Sequence, residues 1–123
     1  MRRRVQARGP ATAMTMWSAY EDTSRWTEWA PHIRGVEPAG PLEDGMRGVV
    51  AGPLGTSARF EVTCIDRAEQ RWTWKVQVGP ARLTIAHEGA DGVAAIEIDG
   101  PAPPVIAYTP LARRALNRLV RLA

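Results

Sequence analysis

Among the residues that titrate near neutral pH, His87 is the side chain best placed for chemistry. It follows Leu83 and Ile85 at alternating positions, so in a strand the three side chains point to one face. A histidine there could donate to a ligand carbonyl or act as a general acid or base. No Asp or Glu shares that face, so we favour a structural histidine that a neighbouring polar group satisfies. His87 is therefore a catalytic candidate only.

Aromatic side chains offer a second kind of contact. Trp72 and Trp74 share one strand face with Val76 and could stack on a flat ligand, although large aromatics on an inner face more often fill a core. Trp74 lies nearer the middle of the strand and is the better candidate for ligand contact. Tyr20 and Tyr108 could supply phenolic donors at the rim of a cavity.

The pattern does not predict a metal or phosphate site. His32 follows Pro31, is expected to be exposed in a turn, and lies far from His87 in the sequence, so no ligand pair has metal-binding spacing. The segment Gly52–Gly55 lacks the lysine and the following helix of a phosphate-binding loop. No metal and no cofactor are predicted.

Cys64 is the only cysteine, which excludes an internal disulfide and fits a reducing cytoplasm. It alternates with Phe60 and Val62, so we expect it to face the core, where burial raises the pKa of a thiol and makes it a poor nucleophile. A nucleophilic enzyme built on this cysteine is therefore not predicted.

Length and composition are those of one globular domain over residues 1–123, with 45% hydrophobic and 24% charged residues. No apolar run is long enough for a transmembrane segment, and the basic start of the chain lacks the apolar run of a signal peptide, so a cytoplasmic location is expected. The net charge is +3, but acids and bases alternate between two arginine-rich ends. A solvated surface is a better interpretation than a nucleic-acid site.

Two short helices are predicted ahead of a sheet. Apolar residues recur at three- and four-residue intervals over Thr12–Glu21, and Ser24–Trp29 has a capping residue at its start. Trp26 and Trp29 share one helical face and are predicted to join the helices to the sheet. The predicted strands, most of them with period-two alternation, are Val5–Arg8, His32–Glu37, Met46–Ala51, Ala58–Cys64, Trp72–Val78, Arg82–Glu88 and Ala94–Asp99.

The last element is an amphipathic helix. From Pro110 onward, leucines and alanines form a stripe opposite arginines. The prolines at Pro101, Pro103 and Pro104 are expected to delay the start of this helix. A shortened helix would leave the apolar face of the sheet partly open, or a second subunit in a homodimer would complete the cover.

The chain resembles the SRPBCC superfamily, which contains the START and Bet v 1-like proteins, and within it the polyketide cyclase/dehydrase-type members. The matching segments are Met16-Trp17 with Asp22, Trp26-Thr27-Glu28-Trp29, Gly45-Met46-Arg47-Gly48, Phe60-Glu61-Val62-Thr63 and Arg71-Trp72-Thr73-Trp74. The resemblance implies an α+β helix-grip fold: a curved antiparallel sheet of about six to seven strands with two short helices near the N-terminus and a C-terminal amphipathic helix packed over its concave face.

The resemblance also implies an apolar cavity between sheet and helix that binds a small hydrophobic molecule such as a lipid or a polyketide. The expected lining consists of Phe60, Val62, Trp72, Trp74, Val76, Leu83, Ile85, His87, Ile96 and Ile98. One alternative is an aromatase/cyclase-like enzyme in which His87 and a tyrosine promote enolisation. A weaker alternative is an interaction module whose basic ends contact acidic partners or RNA.

Overall fold

A computed structural model describes residues 1–123. In chain order its elements are β1 (Arg2–Arg8), α1 (Ala13–Glu21), α2 (Trp26–Trp29), β2 (Gly35–Glu37), β3 (Arg47–Ala51), β4 (Ser57–Asp66), β5 (Arg71–Val78), β6 (Ala81–Ala90), β7 (Val93–Asp99) and α3 (Ala102–Leu119). Single 3₁₀ turns lie at Thr23–Arg25 and Pro53–Gly55.

The seven strands form one curved antiparallel sheet in the order β1-β7-β6-β5-β4-β3-β2. Helix α3 packs against β1, β7 and β6 and also touches α2. The inward side chains of the strands, at every second position, form the core with the buried stripe of α3. The predicted α+β helix-grip architecture is confirmed.

Helix α3 is longer than the sequence suggested. It begins at Ala102, with Pro101 as the N-cap, so the prediction of a helix shortened to Pro110 onward is wrong. Pro103 and Pro104 lie in the first turn, where the backbone N–H groups have no helical acceptor and a proline therefore costs little. Pro110 lies inside the helix, which continues through it.

A β-bulge in β4 changes which residues face the core. The register with β5 shifts between Val62, which pairs with Trp74, and Cys64, which pairs with Thr73. The extra residue reverses the alternation beyond it, so Cys64 is exposed. The expectation that Cys64 faces the core is therefore wrong.

The tryptophans of α2 tie the two short helices together. The Trp26 indole N–H donates to the carbonyl of Tyr20 at 3.0 Å, and the Trp29 indole N–H donates to that of Ala19 at 3.4 Å. Both acceptors lie near the C-terminal end of α1, where carbonyls lack helical donors. The two tryptophans thus cap one helix while their rings remain buried in the core.

Gly48 on β3 is required by a close approach of the backbone. A Cβ built there would overlap the Glu37 carbonyl oxygen and would lie 2.9 Å from the Phe60 ring. We expect Gly48→Ala to lower the free energy of unfolding by about 1–3 kcal/mol, because the neighbouring strand would have to shift. The control is Gly35→Ala on β2, where nothing lies within 4 Å of the new Cβ. Chemical denaturation measures both, and equal stabilities would contradict the steric explanation.

Candidate functional site

One part of the core is a solid block of aromatic rings. Trp72 lies between Trp26, at a ring-centroid distance of 5.2 Å, and His87, stacked in parallel at 3.9 Å. Tyr20 meets Trp72 edge-on at 5.5 Å. Since Trp26, Trp72 and Tyr20 are fully buried, no face of the Trp72 ring is free for a ligand in this structure.

His87 points inward, as predicted, but it is enclosed in this block. Burial lowers the pKa of its imidazole to about 3, and its Nδ1 atom has no hydrogen-bond partner. Tyr20 lies beside it, with ring centroids 5.8 Å apart, and burial raises the pKa of this phenol. Tyr20 therefore lies in the core and not at a rim. Both groups are neutral at pH 7, and neither lines the cavity described next.

A cavity of about 190 Å³ lies between the sheet and α3, beside this block, and is half open to solvent. Ten of its fifteen lining residues are hydrophobic, so its surface is mainly apolar. Four residues of the expected ligand site line it, namely Trp74, Val76, Leu83 and Ile85. The other six lie outside this lining and within the packed core, namely Phe60, Val62, Trp72, His87, Ile96 and Ile98.

Two polar rings line the same cavity. His32 and Tyr108 meet edge-on with their centroids 5.7 Å apart. His32 is half-buried and its Nδ1 atom is buried without a partner, so the expectation that it is exposed is wrong. Burial, followed by the nearby charge of Arg114, lowers the pKa of this imidazole. Burial raises the pKa of the Tyr108 phenol.

Sequence reasoning missed His32 and only partly anticipated Tyr108. Nothing in the spacing around Pro31 and His32 shows that the turn folds back against α3. Tyr108 lies three residues before Leu111, which also lines the cavity, so a helix begun at Ala102 would have placed both on one face.

A second groove is more polar and is lined by charged side chains, namely Arg47, Arg59, Glu61, Lys75, Arg82 and Asp99. No group of three or more His, Cys, Asp and Glu side chains is arranged to hold a metal ion. No helix is both long and apolar enough to cross a bilayer. Two of the arginines at the start of the chain form ion pairs with carboxylates of neighbouring strands, Arg2 with Asp99 at 3.2 Å and Arg4 with Glu88 at 3.1 Å.

Comparison with known proteins agrees with this architecture. Residues 9–121 match the family described as polyketide cyclase / dehydrase and lipid transport. The chain belongs to this family. No curated protein matches the chain.

Solved structures similar to this family member share its fold at low sequence identity. DynU16, a protein of the dynemicin biosynthetic locus, superposes with a TM-score of 0.73 at 20% identity over 97% of this chain, which spans 45% of DynU16. MLL2253 from Mesorhizobium loti has a TM-score of 0.76 at 14% identity and is matched over 96% of its length by 97% of this chain. CV1439 from Chromobacterium violaceum has a TM-score of 0.70 at 16% identity. The match covers 99% of this chain and 98% of CV1439.

Proposed function

We propose that this protein binds a small hydrophobic molecule in the cavity between the sheet and α3. The observation that carries the proposal is the half-open apolar cavity, which contrasts with the tightly filled aromatic block beside it. Apolar cavities with a few polar groups at one side are the usual form of small-molecule sites. Removal of ligand surface from water supplies most of the affinity, at about 25 cal/mol per Å².

The size of the cavity limits the ligand. An engineered apolar cavity of about 150 Å³ in another protein holds one benzene molecule. A cavity of about 190 Å³ is only slightly larger. The enclosed part of the ligand is therefore about one or two fused rings or a short chain, and a longer molecule would project through the open side.

Enzymatic cyclisation, the rival function, is less well supported by the geometry. Its proposed acid–base residue, His87, is stacked on Trp72 with a pKa of about 3, and Tyr20 beside it is equally enclosed. A general acid or base must reach the proton that it transfers. The weaker alternative, an interaction module with basic ends, loses support at the N-terminal end, where Arg2 and Arg4 form ion pairs within the protein.

Uptake of the neutral fluorescent probe N-phenyl-1-naphthylamine tests the proposal. We expect the protein to bind it with increased emission, and Ala58→Leu to weaken binding at least about tenfold, because Ala58 lines the cavity and the added carbons occupy space for the ligand. Thr63→Leu is the matched control, since Thr63 lies on the exposed face of the same strand. An absence of uptake, or equal losses in both variants, would overturn the proposal.

A further inference from the structure

We infer that the cavity selects a hydrophobic molecule that carries a single carboxylate, which His32, Tyr108 and Arg114 hold at the side of the cavity. This inference rests on the proposed function, because it requires that the apolar cavity is the binding site. It adds the chemical class of the ligand and the residues that recognise it.

Two of the polar side chains that line the cavity, His32 and Tyr108, lie against each other. His32 lies between α2 and β2, and Tyr108 lies on α3, yet their rings meet at 5.7 Å. The strand residues that line the cavity are apolar apart from Ser57 at the start of β4, and they include Trp74, Val76 and Ile85. A ligand that fills this space has its apolar body against the sheet and its polar end beside the His32–Tyr108 pair.

The pair offers hydrogen-bond donors that the protein itself does not use. The Nδ1 atom of His32 is buried and unpartnered, and a buried polar atom left without a partner destabilises the folded protein. An imidazole that is neutral at pH 7 still has one N–H to donate, and the Tyr108 phenol, which also stays protonated, has an O–H. A ligand oxygen that accepts from both groups would satisfy them.

Positive charge near this place favours an anionic oxygen. Arg114 lies one helical turn beyond Leu111 and is close enough to lower the pKa of His32. It forms no ion pair within the protein, and no Asp or Glu lines the cavity. Arg114 therefore has no carboxylate partner within the protein, and an anionic group of a ligand would supply one.

A single carboxylate fits this arrangement better than a neutral head group or a phosphate. An ionised carboxylate accepts hydrogen bonds and donates none. It therefore matches a site that offers one N–H, one O–H and one guanidinium. A phosphate carries more charge than one exposed arginine offsets. A ketone or an amide would accept the same hydrogen bonds but would gain little from Arg114. The half-open side lets the carboxylate keep part of its hydration, which limits the cost of burial.

Calorimetric titration with three ligands of one shape tests the inference: 2-naphthoate, 2-naphthamide and 2-methylnaphthalene. We expect the unmodified protein to bind 2-naphthoate about tenfold more tightly than 2-naphthamide, which is the usual gain for a partly exposed charge-assisted contact. Added NaCl should reduce this preference, because Arg114 is exposed. Tyr108→Phe should lower the affinity for 2-naphthoate and for 2-naphthamide by a similar factor. The affinity for 2-methylnaphthalene should not change.

The test uses two matched variants, Arg114→Gln and Arg113→Gln. Each removes one positive charge from α3. Both residues are exposed on α3, but only Arg114 influences His32. Arg114→Gln should abolish the preference for 2-naphthoate without changing the affinity for 2-methylnaphthalene, whereas Arg113→Gln should retain the preference. If 2-methylnaphthalene binds but 2-naphthoate binds no more tightly than 2-naphthamide, the inference is wrong and the proposed function stands. The same holds if Arg114→Gln keeps the tighter binding of 2-naphthoate. If none of the three binds, both are wrong.

Discussion

Trp72→Ala is expected to lower the free energy of unfolding by about 3–5 kcal/mol, the range observed when a large buried aromatic is truncated. The Trp72 side chain is fully buried between Trp26 and His87, and both stacked partners are held by other elements. They cannot close the space without moving a helix or a strand, so a cavity remains. Denaturation by guanidinium chloride, followed by far-UV circular dichroism, measures the loss.

Trp17→Ala is the control for this prediction. Trp17 is half-buried on α1, and its indole N–H donates to Glu21 at 2.8 Å. We expect a loss of about 1–2 kcal/mol for this variant, because the site can relax toward solvent. Equal losses at Trp17 and Trp72 would contradict the picture of a rigid aromatic block.

The second large effect is a loss of stability in mild acid caused by His87. Its pKa is about 3 in the folded protein, against an ordinary value of 6.5. Between these values the unfolded chain binds a proton that the folded protein does not, so lowering the pH favours unfolding. We expect the free energy of unfolding to fall by about 2–3 kcal/mol between roughly pH 7 and pH 4.5, since each pKa unit corresponds to about 1.4 kcal/mol.

His87→Phe should remove most of this pH dependence, whatever its effect on stability at pH 7. His32 also has a lowered pKa, so the free energy of unfolding of His87→Phe should still depend weakly on pH. A further His32→Gln substitution would remove that remaining dependence. The pKa of Asp22 is lowered by its hydrogen bonds from Ser24, so its stabilisation is lost only below the range of the experiment. Urea titrations at several pH values give the slopes. An unchanged slope in His87→Phe would show that His87 is not the group responsible.

The architecture was predictable because the strands alternate regularly and the two short helices have helical spacing. The errors came from backbone events that a local pattern does not reveal. The bulge after Val62 turned Cys64 outward, although its position continued an alternating series. The prolines at Pro103 and Pro104 suggested a late helix, yet the first turn of a helix is where proline is tolerated.

The candidate site was less predictable, for a reason of geometry. Alternation tells which face of a strand is buried, but not which part of that face is filled by the protein itself. Trp26 crosses from α2 to stack on Trp72 and fills one part, whereas Trp74, two residues along the same strand, lines the open cavity. The contact between His32 and Tyr108 joins segments far apart in the sequence, and neither segment carries a local signal of it.

The pairing of β1 with β7 also has a consequence for how the protein folds. Arg2 lies opposite Asp99, so the first strand can join the sheet only after the last strand exists. Closing so long a loop is entropically costly, and topologies dominated by distant contacts fold slowly, in about milliseconds to seconds. Helix α3 follows β7, packs across both of these strands, and supplies Tyr108 and Leu111 to the cavity. The binding site therefore cannot form before α3 has been synthesised and has packed on the sheet, and we expect ligand uptake to appear together with that folding step.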